Sequence, residues 1–253
     1  MNNILITGAA SGIGAATARL FHARGWKVGL LDVDHRALAA LAAELGDVWH
    51  AELDVTDPAA VQLALADFCG LHGGQLRLLF NCAGVLRCGY FETIELAEHA
   101  RIMQVNILGV LHMSHGAFGY LKATANAQVN NMSSAAALYG VPHLASYSAS
   151  KFAVRGLSEA LELEWARYGI RVGDLMPPFV RTPMLDNQHF QAPVLRRMGV
   201  RLDAEAVAQA VWQQALNPRL HRPVGLKFRL LYWFGQLSPT WLNRLVMAWL
   251  CRD

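Results

Sequence analysis

The chain has 253 residues, of which 54% are hydrophobic and 16% charged, and its formal net charge is +3. This length suits one large α/β domain with a buried core, and the charge is far below that of a protein that neutralises many phosphates. We therefore expect a single domain and no nucleic-acid partner.

The cysteines and the N-terminal residues indicate the cellular compartment of the protein. Cys69, Cys82, Cys88 and Cys251 show neither C-x-x-C spacing nor histidines in ligand register, so the sequence predicts no metal site and no disulfide framework. The opening "MNNILITG" lacks the basic and long apolar segments of an export signal. We expect a cytoplasmic protein with reduced thiols.

Short apolar runs rich in Ile, Val and Leu alternate with longer segments that have helical spacing of apolar residues. Apolar residues at consecutive positions suit strands that are covered on both faces. The sequence therefore predicts a doubly wound α/β fold, a parallel Rossmann sheet with helices on both faces. The predicted strands cover residues 3–7, 27–33, 48–55, 76–84, 127–134 and 171–177, and two of the helices, 12–25 and 147–169, end at Gly25 and Gly169.

The first predicted strand leads into "TGAASGIG", residues 7–14, before a predicted helix. Gly8, Gly12 and Gly14 allow a tight turn and let backbone N–H groups approach a pyrophosphate at the positive end of the helix. The order of strand, glycine loop and helix predicts a dinucleotide site.

An acidic residue, Asp32, stands at the end of the second predicted strand, where dinucleotide folds hydrogen-bond the adenosine ribose. Its carboxylate would repel a 2′-phosphate, and Ser11 in the glycine loop offers no cation to hold one. These two residues favour NAD over NADP. Arg36 keeps NADP open as an alternative, because a nearby arginine could accommodate the phosphate.

"YSASK", residues 147–151, places a tyrosine and a lysine four positions apart on one face of a predicted helix. The ammonium of Lys151 can therefore lie near the phenol of Tyr147, where a cation favours the phenolate and lowers the pKa. Ser133 and Ser134 end the preceding strand at the carboxyl edge of the sheet, where open α/β sheets bind ligands. The pattern predicts proton exchange by Tyr147.

These motifs, in this order, resemble the short-chain dehydrogenase/reductase family from about residue 3 to residue 182. The resemblance implies that Tyr147 is the catalytic acid/base, that Ser134 polarises the substrate oxygen, and that Lys151 holds the nicotinamide ribose. Asn106 in "MQVNILG" resembles the family's asparagine that holds a water in the proton relay to lysine. The cofactor contacts implied are Gly8, Ser11, Gly12, Ile13, Gly14, Asp32, Asp54, Val55, Asn81, Ala83, Gly84, Tyr147, Lys151, Pro177, Val180 and Thr182.

One loop departs from the family, because Pro177 is followed by Pro178 where Pro-Gly is usual. Proline fixes φ and has no N–H, so the backbone beside the nicotinamide must differ from the glycine version. The segment 179–202 resembles the family's mobile substrate lid. Within it we expect His189 to be a solvated residue and not a catalytic one.

The most individual segment is residues 217–253, which carry a net charge of +5 against −2 for the rest of the chain. Ser238 is predicted as an N-cap and Pro239 as the first residue of a helix. That helix has an apolar face that could lie in a membrane interface, cap the substrate cleft or pack in a subunit interface. The face predicted from the helical spacing comprises Trp241, Leu242, Leu245, Val246, Trp249 and Leu250.

The sequence thus predicts an NAD-dependent oxidoreductase that interconverts a lipophilic secondary alcohol and its ketone without a metal. We assign residues 1–226 to the Rossmann and catalytic part and 227–253 to a helical extension of the same domain, with peripheral membrane contact through the extension as one reading. By resemblance we expect a homodimer or homotetramer. An NADPH-dependent reductase of the 3-oxoacyl carrier-protein type and a non-catalytic dinucleotide sensor are the alternatives.

Overall fold

The computed structural model describes residues 2–46, 48–188 and 190–252, and within these ranges the chain forms one seven-stranded parallel sheet of order β3-β2-β1-β4-β5-β6-β7. The chain runs outward from β1 to β3 and then returns to the other side of β1 with β4. This reversal creates the crevice in which open α/β sheets bind ligands. The strands are β1 Asn3–Thr7, β2 Lys27–Asp32, β3 Trp49–Glu52, β4 Leu78–Asn81, β5 Gln128–Met132, β6 Arg171–Met176 and β7 His221–Pro223.

Helices cover both faces of the sheet, so the predicted doubly wound α/β class is confirmed. They are α1 Gly12–Ala23, α2 His35–Leu45, α3 Pro58–Gly70, α4 Leu96–Met103, α5 Gly109–Lys122, α6 Ala145–Trp165, α7 Pro183–Asp186, α8 Pro193–Met198, α9 Ala204–Leu216, α10 Leu226–Leu237 and α11 Thr240–Leu250. Among the helices of the described ranges, none combines the length and the apolar character needed to cross a bilayer.

The six predicted strands are present. β1 has the predicted bounds, β2, β5 and β6 are one to three residues shorter than predicted, and β3 and β4 have half the predicted length or less. Gly25 and Gly169 have φ of 77° and 72°, the left-handed conformation expected after a helix. The seventh strand, His221–Pro223, was not predicted because it has three residues, no apolar run and a proline. It pairs in parallel with β6 at the edge of the sheet.

Alternate residues of β1 supply two separate cores. Ile4 and Ile6 pack on one face of the sheet with residues of α1, α2 and α9, whereas Leu5 packs on the other face with residues of α3 and α5. All three side chains are fully buried. A strand buried on both faces is apolar at most positions, as in this part of the sequence. The polar ends of β1, Asn3 and Thr7, are also buried and hydrogen-bond neighbouring segments.

Phe21 anchors α1, the helix that follows the glycine loop. Its ring is fully buried and meets Trp26 and Trp212 edge-on, with centroid separations of 5.0 and 5.2 Å. Trp212 belongs to α9, so this aromatic cluster fixes α1 against α9. The loop before α1 is held in place through the same contact.

We predict that Phe21→Ala lowers the free energy of unfolding by about 3–5 kcal/mol, since it leaves a cavity among three aromatic rings. Chemical denaturation measures the change. Leu63→Ala is the control, because Leu63 is 74% exposed and its truncation should leave the denaturation midpoint in place. A Phe21→Ala protein as stable as the Leu63→Ala protein would contradict the anchoring role.

The C-terminal part forms two helices, α10 and α11, joined by Ser238 and Pro239. The prediction of Ser238 as the N-cap is wrong by one residue: α11 begins at Thr240 and Pro239 occupies the cap position. Ser238 instead closes α10, because its backbone N–H and its hydroxyl both donate to the Phe234 carbonyl, at 2.9 and 2.7 Å. The amide of Asn243 donates to the Gly235 carbonyl at 3.3 Å and ties α11 back to α10.

Candidate active site

The glycine loop crosses from β1 to α1 in a conformation that needs glycine. Gly8 and Gly12 have φ of 67° and 49°, which side chains of L-residues rarely permit. A β-carbon on Gly14 would collide with the Gly8 carbonyl. The loop therefore presents bare backbone at the N-terminus of α1, as binding of a pyrophosphate requires.

The loops after β1 and β4 touch at the crevice. A β-carbon on Gly8 would lie 2.8 Å from the Ala83 backbone nitrogen and Cα. The Thr7 hydroxyl oxygen accepts hydrogen bonds from the backbone N–H groups of Cys82 and Ala83, both at 3.1 Å. Sequence reasoning missed this role of Thr7, although its place at the end of β1 was a usable signal.

Asp32 lies beside the glycine loop, as predicted. One carboxylate oxygen accepts the Ala10 N–H at 2.9 Å, and the other accepts the Asp34 N–H at 3.0 Å. These bonds orient the carboxylate on the wall of the cavity. Arg36 is exposed and does not belong to the described residues that line the cavity.

A single large cavity of about 890 Å³ runs along the carboxyl edge of the sheet within the described part of the chain. It brings together both ends of the predicted site, the dinucleotide loop and the catalytic group. The predicted residues on its wall are Gly8, Ser11, Gly12, Ile13, Gly14, Asp32, Asp54, Val55, Ala83, Gly84, Ser134, Tyr147, Lys151, Pro177, Val180 and Thr182.

Asn81 and Asn106 are the two predicted site residues that do not belong to the described cavity wall. The buried amide of Asn81 donates to Ser114 Oγ at 3.1 Å and to Asn131 Oδ1 at 2.8 Å. Its side chain therefore joins β4 to β5 and α5 instead of facing a cofactor. The side chain of Asn81 thus positions β4 beneath Ala83, and the cofactor contact of this segment stays a prediction.

Asn106 is fully buried in a single π-helical turn, Gln104–Leu108, between α4 and α5. Its Oδ1 accepts the Val85 N–H at 2.8 Å, and its Nδ2 donates to the Val85 carbonyl and to Ser150 Oγ, both at 3.0 Å. Such turns occur often at functional sites. Here the turn fixes the chain after β4 against α6, the helix that carries Tyr147.

Tyr147 and Lys151 stand one turn apart on α6, as the four-residue spacing predicted. The Lys151 ammonium is 5.5 Å from the centroid of the Tyr147 ring and donates to the Met132 carbonyl at 2.8 Å. Ser134 follows β5, and its side chain hydrogen-bonds Tyr147. The structure therefore brings the three predicted groups to one point on the cavity wall.

Burial dominates the protonation of this group. It raises the pKa of Tyr147 to about 12, although the hydrogen bond from Ser134 acts in the opposite direction. Burial also lowers the pKa of Lys151 to about 8. The lowered Tyr147 pKa predicted from the lysine alone is therefore wrong for the protein by itself, because desolvation is the largest influence on this pKa and raises it.

The segment predicted as the lid, residues 179–202, contributes Phe179, Met184 and Val194, among others, to the described cavity wall. Val180 forms an isolated β-bridge with Leu202. The Thr182 side chain packs against the glycine loop, since a β-carbon added at Gly12 would lie 3.2 Å from Thr182 Cγ2. Gln188 clamps the lid to the loop after β4, since its amide donates to the Leu86 carbonyl and accepts from the Cys88 N–H. His189 lies outside the described residues.

The inner sides of α10 and α11 complete the cavity wall. Phe228, Leu231 and Phe234 contribute from α10, and Val246, Met247 and Leu250 from α11. The predicted apolar face of the last helix is only partly correct, because Asn243, Met247 and Leu250 turn inward while Trp241, Leu245 and Trp249 are exposed. Packing of Met247 and Leu250 against the lid, together with the hydrogen bond from Asn243, decides this orientation.

One cavity contains a glycine loop with exposed backbone, an acidic residue at the end of β2 and a group of Ser, Tyr and Lys. This combination defines an oxidoreductase that acts on CH–OH groups. Residues 2–192 match the short chain dehydrogenase family, and the chain belongs to it. The last two helices lie beyond the matched residues.

Three known proteins illustrate the similarity. The 3-alpha-(or 20-beta)-hydroxysteroid dehydrogenase of Mycobacterium tuberculosis is 39% identical over 187 residues, 72% of this chain and 70% of the relative. The 3-ketoacyl-(acyl-carrier-protein) reductase of Brucella melitensis, solved with NADH, superposes with a TM-score of 0.81 at 29% identity, covering 88% of this chain and 96% of that one. A short chain dehydrogenase/reductase of Burkholderia phymatum, solved with NAD, gives 0.82 at 28% identity, covering 93% and 92%.

The pH dependence tests the coupling of Lys151 to Tyr147. If Tyr147 is the acid/base, alcohol oxidation requires its phenolate, so the oxidation rate should rise as pH rises toward the Tyr147 pKa, whereas ketone reduction requires the phenol and should slow. In Lys151→Met no cation favours the phenolate, so the rise should move to higher pH and oxidation below pH 8 should slow by about tenfold or more.

Steady-state rates across the pH range, at saturating cofactor, measure this shift. Lys122→Met is the matched control, because Lys122 is exposed at the end of α5 and should leave the profile where it is. An unchanged profile in Lys151→Met would contradict the coupling.

Proposed function

We propose that the protein interconverts a lipophilic secondary alcohol and its ketone with NAD. One observation supports this most strongly: apolar side chains predominate among the residues that line the cavity with Ser134 and Tyr147, although Tyr139, Gln236 and Asn243 line it as well. A small polyol would leave its hydroxyl groups unpaired there, at a cost that a hydrocarbon does not incur. The apolar wall comprises Leu138, Val141, Leu144, Phe179, Val194, Met198, Phe228, Leu231, Met247 and Leu250.

The residues present fit a dinucleotide. Gly8 and Gly14 leave room that a β-carbon would fill, and the N-terminus of α1 suits a pyrophosphate. In our proposal Asp32 accepts hydrogen bonds from the adenosine ribose, Asp54 and Val55 lie by the adenine, and Val180 and Thr182 hold the carboxamide. When bound, the nicotinamide supplies the hydride acceptor or donor.

The catalytic residues move the proton. In oxidation, Tyr147 as phenolate takes the proton of the substrate hydroxyl while hydride leaves the carbon that bears this hydroxyl. Ser134 donates a hydrogen bond to the substrate oxygen and steadies its charge in the transition state. The Lys151 ammonium favours the phenolate, and Asn106 is assigned to a water-mediated relay that returns the proton to solvent through the lysine.

The NAD preference rests on Asp32. Its negative charge lies on the cavity wall beside the glycine loop, and Ser11 of that loop carries no positive charge. The cations on the described wall, Arg101, Lys151 and Arg155, come from α4 and α6. A 2′-phosphate would therefore meet repulsion without compensation.

We expect NADH to bind the wild type at least about tenfold more tightly than NADPH, and Asp32→Ala to erode that preference by weakening NADH and relieving the repulsion of NADPH. Fluorescence titration measures both affinities. Asp57→Ala serves as the control, since Asp57 caps α3 and lies outside the cavity wall. Tighter binding of NADPH by the wild type would refute the assignment.

A second candidate function is an NADPH-dependent reductase of the 3-oxoacyl carrier-protein type. The likeness to the Brucella melitensis reductase supports only the reductase part of this candidate, because that protein was solved with NADH. The same titration separates the two, because this candidate requires NADPH to bind better. A third outcome, cofactor binding without turnover across alcohols and ketones, would favour a dinucleotide sensor.

The apolar wall predicts a graded response to substrate length. Across 2-butanol, 2-hexanol and 2-octanol, kcat/KM should rise by roughly three- to fourfold per added methylene, the ratio that corresponds to burying one such group. Met247→Gln should flatten this gradient while sparing 2-butanol, because it introduces an unpaired amide into the wall. Leu96→Gln, at an 82% exposed position, should keep the gradient.

A flat profile in the wild type, or faster turnover of a polyol such as threitol than of 2-octanol, would refute the lipophilic substrate. Neither result would affect the assignment of Tyr147, which the pH profile tests separately.

A further inference from the structure

The outer sides of α10 and α11 expose an unusual concentration of large apolar side chains. Three are tryptophans, each more than 60% exposed: Trp233, Trp241 and Trp249. A monomeric protein rarely exposes contiguous apolar surface of this size without an interaction partner. We call this surface the outer face; it comprises Leu226, Leu230, Trp233, Leu237, Trp241, Leu245 and Trp249.

The spacing on each helix makes the outer face a stripe. Leu226, Leu230, Trp233 and Leu237 recur at three- and four-residue intervals on α10, opposite the buried Phe228 and Tyr232. On α11 the exposed Trp241, Leu245 and Trp249 recur every four residues, away from the inward Met247 and Leu250. Both helices therefore have one side on the cavity and another apolar side on solvent.

Basic residues flank this stripe. Lys227 and Arg229 lie on opposite sides of it on α10, and Arg244 borders it on α11. The guanidinium of Arg197 stacks over the Trp249 ring, 5.6 Å from its centroid. Arg196, Arg197 and Arg252 converge at a second small cavity beside α8.

The positive charge of α10 and α11 indicates which kind of surface binds the outer face. Residues 226–252 contain four basic residues and no acidic one. A symmetric dimer through the outer face would bring these positive charges against one another, so a second copy is disfavoured. An apolar stripe with basic edges and several tryptophans is instead the composition of helices that lie in the interface of an anionic bilayer.

The two helices α10 and α11 also border the mouth of the substrate cavity. Leu231 and Phe234 line the cavity and are still 52% and 55% exposed, so they stand where cavity and solvent meet. Docking of the outer face would place this mouth next to lipid. A lipophilic alcohol dissolved in the bilayer could then reach Tyr147 without crossing water.

We propose that α10 and α11 form a membrane-docking hairpin that binds an anionic lipid surface through the outer face and receives substrate from the bilayer. The receipt of substrate rests on the proposed function. The docking itself stands on the outer face alone and is tested without substrate or cofactor.

The experiment is co-sedimentation of the full chain with vesicles of phosphatidylcholine, with or without phosphatidylglycerol. The wild type should partition onto the anionic vesicles and much less onto neutral ones. The variant W233Q/W241Q/W249Q should lose about tenfold or more in partitioning, because three apolar groups no longer insert. The matched control L63Q/L96Q/L163Q removes three leucines that are at least 74% exposed elsewhere and should bind as the wild type does.

A second variant tests the charge. R229Q/R244Q should weaken binding to anionic vesicles by about fivefold per charge removed and should have little effect on neutral ones. Retained NADH binding and an unchanged melting temperature show that each variant is folded, since none of these positions lies on the described cavity wall.

Three results would overturn the proposal. The first is a wild type that does not bind anionic vesicles. The second is a tryptophan variant that binds as well as the wild type, and the third is equal binding of the wild type to neutral and anionic vesicles. If the wild type ignores vesicles and the tryptophan variant converts a dimer to a monomer in sedimentation velocity, the outer face is a subunit interface. None of these results would change the cofactor and substrate tests.

Discussion

The close approach of two loops at the centre of the sheet determines the geometry of this site. Gly8 and Ala83 pack so tightly that no β-carbon fits between them, and Thr7 fixes the distance by accepting two backbone hydrogen bonds from the β4 loop. Both loops leave the sheet at the switch point between β1 and β4. The glycine loop, Gly84 and Lys151 all lie next to Gly8 and Ala83. The position of these two residues therefore determines where the proposed cofactor contacts lie.

Below this pair, buried amides keep the strands in register. Asn81 connects β4 with β5, and Asn131 continues the network to Ser158 of α6. Above it, Asn106 ties the chain after β4 to the same helix. The helix that carries Tyr147 and Lys151 is thus positioned by polar bonds that are strong because they are shielded from water. The apolar substrate side, in contrast, is held by packing of the lid and the last two helices.

The sequence was informative where local chemistry decides the structure. Most residues of strands buried on both faces are apolar, the glycine loop needs positive φ, and a tyrosine and a lysine four residues apart must share a helical face. These constraints act within a few residues, so the strands, the fold class and the proximity of Tyr147 to Lys151 were predictable.

Where distant segments decide, the sequence was insufficient. Asn81 belongs to a familiar motif, yet its side chain faces buried partners on β5 and α5 that no local pattern identifies. The pKa of Tyr147 depends on burial by segments far along the chain. On α11 apolar residues occupy most of the circumference, so only the contacts with α8 and α10 determine which of them face the cavity. The short strand β7 exists because β6 offers it an open edge.

The contact between α8 and α11 has a mechanical consequence. Arg197 of the lid helix donates a hydrogen bond to the Trp249 carbonyl and stacks on its ring, while Met247 and Leu250 pack against the lid core. A lid that swings outward must either break this contact or move α11 with it. A contact that fixes α11 therefore also restrains α8, and a change that loosens α11 removes part of the packing of the predicted lid.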